Sequence, residues 1–190
     1  MVSEPDGKIT SFVEKPKQFI SSCINAGMYV FNTSIVDRIE ARPTSIEREI
    51  FPKMAADGEL FAFELQGFWM DVGQPKDFIT GSALYLKSLR NRFPEMLSEG
   101  EDKTGNVLIH PTATIEADCF IGPNVTIGAD CHIETGARLQ NTVVLQHSRI
   151  GAHSWVTNSI IGWRSVIGKW VRIEGTTVLG ENVSINDEIY

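Results

Sequence analysis

From Ile109 onward an aliphatic side chain returns every six residues: Ile115, Ile121, Ile127, Ile133, Leu139, Leu145. The phase then slips by one residue to Ile150 and Val156, and again to Ile161, Ile167, Ile173, Leu179 and Ile185. Two positions before these aliphatics runs a second column of small or β-branched residues. It reads Val107, Ala113, Cys119, Val125, Cys131, Ala137, Val143, Ser148, Ser154, Ser159, Ser165, Val171, Thr177, Val183. A helix repeats every 3.6 residues or so and a strand every second residue, so neither yields a period of six. A coil of short parallel strands joined by tight turns satisfies both columns, with both pointing inward and successive coils stacking into one core. Glycine often follows the aliphatic, as in Ile121-Gly122, Ile150-Gly151 and Ile161-Gly162, where a turn needs positive φ.

The period resembles the hexapeptide repeat of the left-handed parallel β-helix, and the handedness is implied by that resemblance alone. The preceding residues are mixed. Strands are expected at 8–13, 28–31, 61–65 and 68–72, with Gln66-Gly67 as a hairpin turn. Thr44-Ser45-Ile46-Glu47 matches a capping box, with Thr44 as N-cap and Glu47 reaching back, ahead of a helix that breaks near Pro52. Ile79, Ala83, Leu86 and Phe93 trace one face of a second helix over 75–92. The expected organisation is an α/β portion over 1–98, a polar linker over 99–105 and the solenoid over 106–190.

Charge and composition exclude several classes of function. With 17 basic against 24 acidic side chains and a net charge of -7, broad nucleic-acid binding is not expected. No apolar run approaches the roughly 20 residues that cross a bilayer. The opening Met1-Val2-Ser3-Glu4-Pro5-Asp6 is acidic where a signal peptide is basic and then apolar, so a soluble, cytoplasmic protein is expected. The three cysteines form no C-x-x-C pair, and Cys119 and Cys131 fall in the small-residue column, which reads as packing. His110, His132, His147 and His153 invite a metal or acyl-transfer reading, but a solenoid histidine at a turn is more often solvent-exposed and they carry no assignment; Trp155, Trp163 and Trp170 read as a face toward another domain or subunit.

No two glycines are separated by a single residue, so no G-x-G turn is present. The nearest Walker-like string, 162–169, has one intervening residue too many, and Trp170 follows its lysine in place of Ser or Thr. Unusual polar residues gather instead in three strings: Phe12-Val13-Glu14-Lys15-Pro16, Ile24-Asn25-Ala26-Gly27-Met28-Tyr29 and Phe68-Trp69-Met70-Asp71-Val72-Gly73-Gln74-Pro75. Taken singly, the first reads as a solvated strand end before a proline turn. The second reads as an Asn/Gly turn, and the third as a hairpin exit or helix cap.

The three strings in this order resemble the sugar-nucleotide pyrophosphorylases (nucleotidyltransferases). Within that family, the run from Thr44-Ser45-Ile46-Glu47 through Trp69-Met70-Asp71-Val72-Gly73-Gln74-Pro75 is similar to the mannose-1-phosphate guanylyltransferases of the catalytic β type. So are the solenoid strings His153-Ser154-Trp155, Ile161-Gly162-Trp163 and Gly168-Lys169-Trp170-Val171-Arg172. The resemblance implies the C-terminal part of a Rossmann-like nucleotidyltransferase domain followed by the β-helix. It implies the reaction of GTP with mannose 1-phosphate to give GDP-mannose and diphosphate, with Mg²⁺ as cofactor.

By the same resemblance, Lys15 holds the sugar 1-phosphate and Glu14 and Asn25 bond the mannose hydroxyls. Gly27 allows close backbone approach, and Asp71 is the Mg²⁺ ligand. The implied partners are mannose 1-phosphate and GTP, and, through the β-helix, a second copy or a regulatory α subunit. The family's glycine-rich, nucleotide-holding segment is not among these residues, so a fragment holding the sugar side of the site and inactive alone is expected. Two other readings stand beside it: a non-catalytic assembly or regulatory subunit of the same complex, and a hexapeptide acyltransferase. Asp71 within Trp-x-Asp-x-Gly weighs against the former, and Glu14-Lys15-Pro16 has no place in the latter.

Overall fold

The computed structural model describes residues 1–189; Tyr190 lies outside the described residues. The chain divides into two compact units, Met1–Gln66 and Gly67–Tyr190, each described here by itself.

In the first unit β1 (Val2–Ser3) pairs antiparallel with β2 (Ile9–Ser11). A 3-10 turn over Thr33–Arg38 follows, and a π turn over Ile46–Ile50 runs directly into α1 (Phe51–Ala56). Ile9, Phe12, Ile50, Phe51, Met54, Ala55 and Leu60 form the unit's core. Of the strands expected here, only part of 8–13 forms one. Residues 28–31 join no ladder, and 61–65 contribute only the isolated bridge of Phe61 to Lys8. The N-cap is shifted by one residue from Thr44 and the glutamate that reaches back by two from Glu47. Ser45 is the N-cap, accepting from the Arg48 amide at 3.3 Å, while Glu49 reaches back to the Ser45 amide at 3.0 Å. Glu47 is thereby left with its side chain directed elsewhere. Pro52 does not break the helix: it stands in the first turn of α1, where its missing N–H costs nothing.

In the second unit residues 68–72 form no strand and join no sheet, and α2 spans Pro75–Arg92 as expected. Its buried face is closed by Leu89 and not by Phe93, which is the C-cap and is exposed. Leu86 and Leu89 cluster with Leu97 and with Leu108 on the outside of the solenoid. Arg90 fastens the junction by donating to Asn106 Oδ1 at 3.1 Å and to the Gly105 carbonyl at 3.0 Å.

The solenoid has three parallel faces. The first stacks β3 (Val107–Ile109), β6 (Val125–Ile127), β9 (Val143–Val144), β12 (Ser159–Ile161) and β15 (Thr177–Leu179). The second stacks β4 (Thr114–Ile115), β7 (His132–Ile133), β10 (Arg149–Ile150), β13 (Val166–Ile167) and β16 (Ser184–Ile185). The third stacks β5 (Phe120–Ile121), β8 (Arg138–Gln140), β11 (Trp155–Thr157) and β14 (Arg172–Ile173). The expected aliphatics fill one buried cluster from Val107 to Ile173.

One correction concerns the phase. Val144, not Leu145, pairs in register with Ile127 and Ile161, and Thr142, not Val143, takes the fully buried small position. The two shortened spacings therefore both fall at one corner, where Asn141 and Asn158 adopt left-handed backbone. There the side-chain amides form a ladder, Asn124 donating to Asn141 at 3.1 Å and Asn141 to Asn158 at 3.2 Å.

The small column has a chemical role as well as a steric one. Ser148 donates to the Gly162 carbonyl and Ser154 to the Gly168 carbonyl, both at 2.7 Å, and Ser165 donates to Gly180 at 2.9 Å. Cys119 makes the same contact to the Glu134 carbonyl at 3.2 Å, and Cys131 to Leu145 at 3.0 Å. At these five corners a carbonyl accepts from a side chain of the neighbouring coil.

Candidate functional site

The first unit assembles most of the expected sugar-phosphate residues around one tyrosine. Phe12, at the end of β2, is buried edge-on against Phe51 with ring centroids 5.0 Å apart, which fixes where the chain leaves the sheet. Glu14 is half-buried just beyond, and Lys15 is exposed with φ +48. Left-handed backbone on a lysine directly before a proline is sterically disfavoured, the kind of local strain that gathers where side-chain direction matters.

Asn25 closes an Asx turn, its Oδ1 accepting from the Gly27 amide at 3.1 Å. Its Nδ2 donates to the Tyr29 hydroxyl at 2.5 Å. The Tyr29 ring is anchored edge-on to Phe51 at 4.9 Å and stacked on Phe31 at 5.6 Å, and its hydroxyl donates to Glu47 Oε1 at 3.1 Å. Burial first, and then the nearby carboxylates Glu47 and Glu14, raise the Tyr29 pKa above its ordinary value; the Asn25 donation acts in the opposite direction. The phenol is therefore a protonated donor at neutral pH, as the bond to Glu47 requires.

This geometry has a chemical consequence. A side-chain amide carries two N–H donors and two carbonyl lone pairs. One of each is committed here to Tyr29 and Gly27, which locks the plane and leaves one donor and one acceptor in fixed directions. That is the complement of a sugar hydroxyl, which both gives and takes a proton. Gly27, at φ +73, has nothing within 4 Å of the place a Cβ would occupy, so its backbone is open to close approach.

Asp71 belongs to the second unit. Its Oδ1 accepts from the Gly73 amide at 3.1 Å in an Asx turn that leads into α2, where Pro75 takes the first helical position. Gly81 of α2 lets this string lie close, since a Cβ there would stand 3.0 Å from Val72 Cγ1 and 3.9 Å from Met70 Sδ. The Asp71 carboxylate is exposed and keeps its second oxygen clear of the turn bond. One hard carboxylate oxygen fits the habit of Mg²⁺, which takes one or two carboxylates and completes its shell with substrate phosphates and water. Among the described residues no cluster of three or more metal-ligating side chains occurs.

Asn25 and Gly27 thus share one turn, and the Glu14 carboxylate acts on the Tyr29 that braces it, with Lys15 adjacent to Glu14 in sequence, while Asp71 belongs to the other unit. Sequence reasoning missed Tyr29 and Glu47. The first lies four residues after Asn25 in the same string, and the second was assigned to the capping box. The three tryptophans do not share one face: Trp155 is in β11, whereas Trp170 is at a corner, stacked on His153 at 4.3 Å.

Comparison with known proteins agrees in both halves. Residues 1–88 match a family described as nucleotidyl transferase, and residues 103–190 match one described as the GMPPB C-terminal domain. Over 184 residues the chain is 56% identical to mannose-1-phosphate guanyltransferase beta-B of Xenopus laevis, a match covering 97% of this chain and 51% of that protein. It is 55% identical over 184 residues to mannose-1-phosphate guanylyltransferase catalytic subunit beta of Danio rerio, with the same coverage of 97% and 51%. It is 52% identical over 190 residues to mannose-1-phosphate guanylyltransferase 1 of Arabidopsis thaliana, covering 100% of this chain and 53% of that protein. The chain spans about half the length of the curated relatives it matches.

Proposed function

Since the chain belongs to the mannose-1-phosphate guanylyltransferase family, we propose that it supplies the sugar-phosphate side of the transfer that joins GTP and mannose 1-phosphate into GDP-mannose and diphosphate. In that reaction an oxygen of the sugar phosphate attacks the α-phosphorus of GTP, a new P–O bond forms, and the α–β bridge breaks to release diphosphate. Positioning and charge neutralisation carry most of such catalysis. The observation that supports the reading best is the locked Asn25 amide, with one donor and one acceptor left free beside the open backbone of Gly27.

In this reading Asn25 and Glu14 take the mannose hydroxyls, and Gly27 lets the ring approach. The Lys15 ammonium, a compact point charge, meets the 1-phosphate. Asp71 holds Mg²⁺, which, when bound, neutralises charge on the phosphate oxygens. The solenoid serves assembly, with a second copy of the chain or a regulatory subunit.

Calorimetric titration of the 190-residue chain with mannose 1-phosphate tests the proposal. Saturable binding that beats inorganic phosphate and is abolished by Asn25→Ala and Lys15→Ala is expected. Binding no tighter than that of inorganic phosphate would sink it.

A further inference from the structure

The third face of the solenoid carries an exposed column with an unusual order. Ile121, Leu139, Val156 and Ile173 point inward and are buried. The residues before them point outward and are in register: Phe120 beside Arg138, Arg138 beside Trp155, Trp155 beside Arg172. Each guanidinium lies over the ring of the preceding coil, Arg138 at 5.3 Å from the Phe120 centroid and Arg172 at 4.7 Å from that of Trp155. Phe120 is 59% exposed and Trp155 36%, and both arginines are exposed. The column therefore reads aromatic, cation, aromatic, cation across the coils.

That order is complementary to its own reverse. A two-fold axis lying in the face, along the strand direction and between β8 and β11, reverses the order of the coils while keeping the strand direction. Under it Phe120 of one chain meets Arg172 of the other, and Arg138 meets Trp155. Every aromatic ring then has a guanidinium on each side, one from its own chain and one from the copy, and no two arginines oppose. Isologous contacts require this kind of self-complementarity, and guanidinium–ring stacking gains strength once the contact is desolvated.

We propose that this face joins two copies of the chain with their solenoids antiparallel, Arg138 of each stacking on Trp155 of the other. The proposal deepens the assembly role given above to the solenoid and is independent of the chemistry. Because the occupant is a second copy of the same chain, the contact is satisfied without any further ligand.

Sedimentation equilibrium on the whole chain tests it. The wild type sediments as a concentration-dependent dimer. R138E weakens association about tenfold or more, and the double variant R138E/W155R, which sets a carboxylate opposite a guanidinium in the same register, restores it. Cross-linking gives an arm independent of any effect on folding. In a Cys23→Ser background, a mixture of the F120C and R172C variants is joined by a short bismaleimide. F120C alone is not, because three strand spacings, about 14 Å, separate its two copies along the face. A monomeric wild type, or F120C joining to itself, overturns the proposal. A dimer whose mass is indifferent to R138E overturns this face while leaving the assembly role of the solenoid standing.

Discussion

The Tyr29 hydroxyl donates to Glu47 Oε1 at 3.1 Å while accepting from Asn25 Nδ2 at 2.5 Å, so the tyrosine acts as a strut between a turn and the start of a helix. Tyr29→Phe removes the strut and keeps the ring packed on Phe31 and Phe51. The affinity for mannose 1-phosphate is expected to fall about five- to tenfold, the worth of roughly one hydrogen bond, with circular dichroism unaltered. Glu47→Gln, which keeps an acceptor, loses less. Equal affinities for wild type and Tyr29→Phe would remove Tyr29 from the site.

The same phenol sets a pH dependence. Burial and the Glu47 and Glu14 carboxylates raise its pKa in the folded state, so the native chain holds this proton more tightly than the unfolded one. Its contribution to stability is complete below the unfolded value of about 10 and fades as pH rises through the folded value. Thermal melts between pH 9 and pH 11.5, run beside Tyr29→Phe, should show the steeper decline in the wild type. Parallel declines would argue against it.

Two glycines separate steric need from tolerance. A Cβ on Gly162 would fall within 2.1 Å of the Gly180 carbonyl oxygen, which is backbone of the next coil, whereas Gly180 has nothing within 4 Å. Gly162→Ala should force the coils apart and lower the melting temperature by several degrees, a loss of about 1–3 kcal/mol. Gly180→Ala should leave it within about a degree.

Burial raises the thiol pKa of Cys119 and of Cys131, and Cys23 is the exposed cysteine. Iodoacetamide on the native chain near pH 8 should label Cys23 and spare the other two, as read by peptide mass. Cys131→Ser keeps a donor to the Leu145 carbonyl and should be mild. Cys131→Ala leaves that part-buried carbonyl without its side-chain partner and should cost about 1 kcal/mol in denaturant unfolding.

Asp71→Asn retains an oxygen for the Gly73 amide and removes the charge. Affinity for mannose 1-phosphate measured without Mg²⁺ should be close to wild type, and the gain on adding Mg²⁺ should disappear. A variant that keeps the full Mg²⁺ effect would exclude Asp71 as the ligand.

The solenoid was legible because each coil repeats one local rule, so an aliphatic such as Ile133 declares its orientation from its spacing alone. The corner at Asn141 and Asn158 misled, since a turn shortened by one residue looks the same in sequence wherever the residue is lost, and so did Gly151 and Gly162, which lack positive φ and stand where the next coil's backbone leaves no room for a Cβ. Helix α2 was legible for the same local reason. The segments 28–31 and 68–72, expected as strands, were not. Val30 and Val72 carry strand propensity, but a strand also needs a neighbouring backbone, and no residue's own side chain reports one. Of the candidate site, Glu14, Asn25 and Gly27 were named through the family resemblance, their strings alone reading as a strand end and a turn. Glu47 was lost because a misplaced capping box assigned it to the backbone.

Register partners in the solenoid are whole coils apart, Val107 with Val125 and Ile150 with Ile167. The body is therefore a ruler graduated in steps of one strand spacing, about 4.8 Å. Inserting or deleting a full coil moves its far end by one graduation and preserves which side chains look outward. Inserting a single residue within a strand turns that strand's inner row toward water. Length in such a protein is free to vary in whole steps and resists every fraction of one.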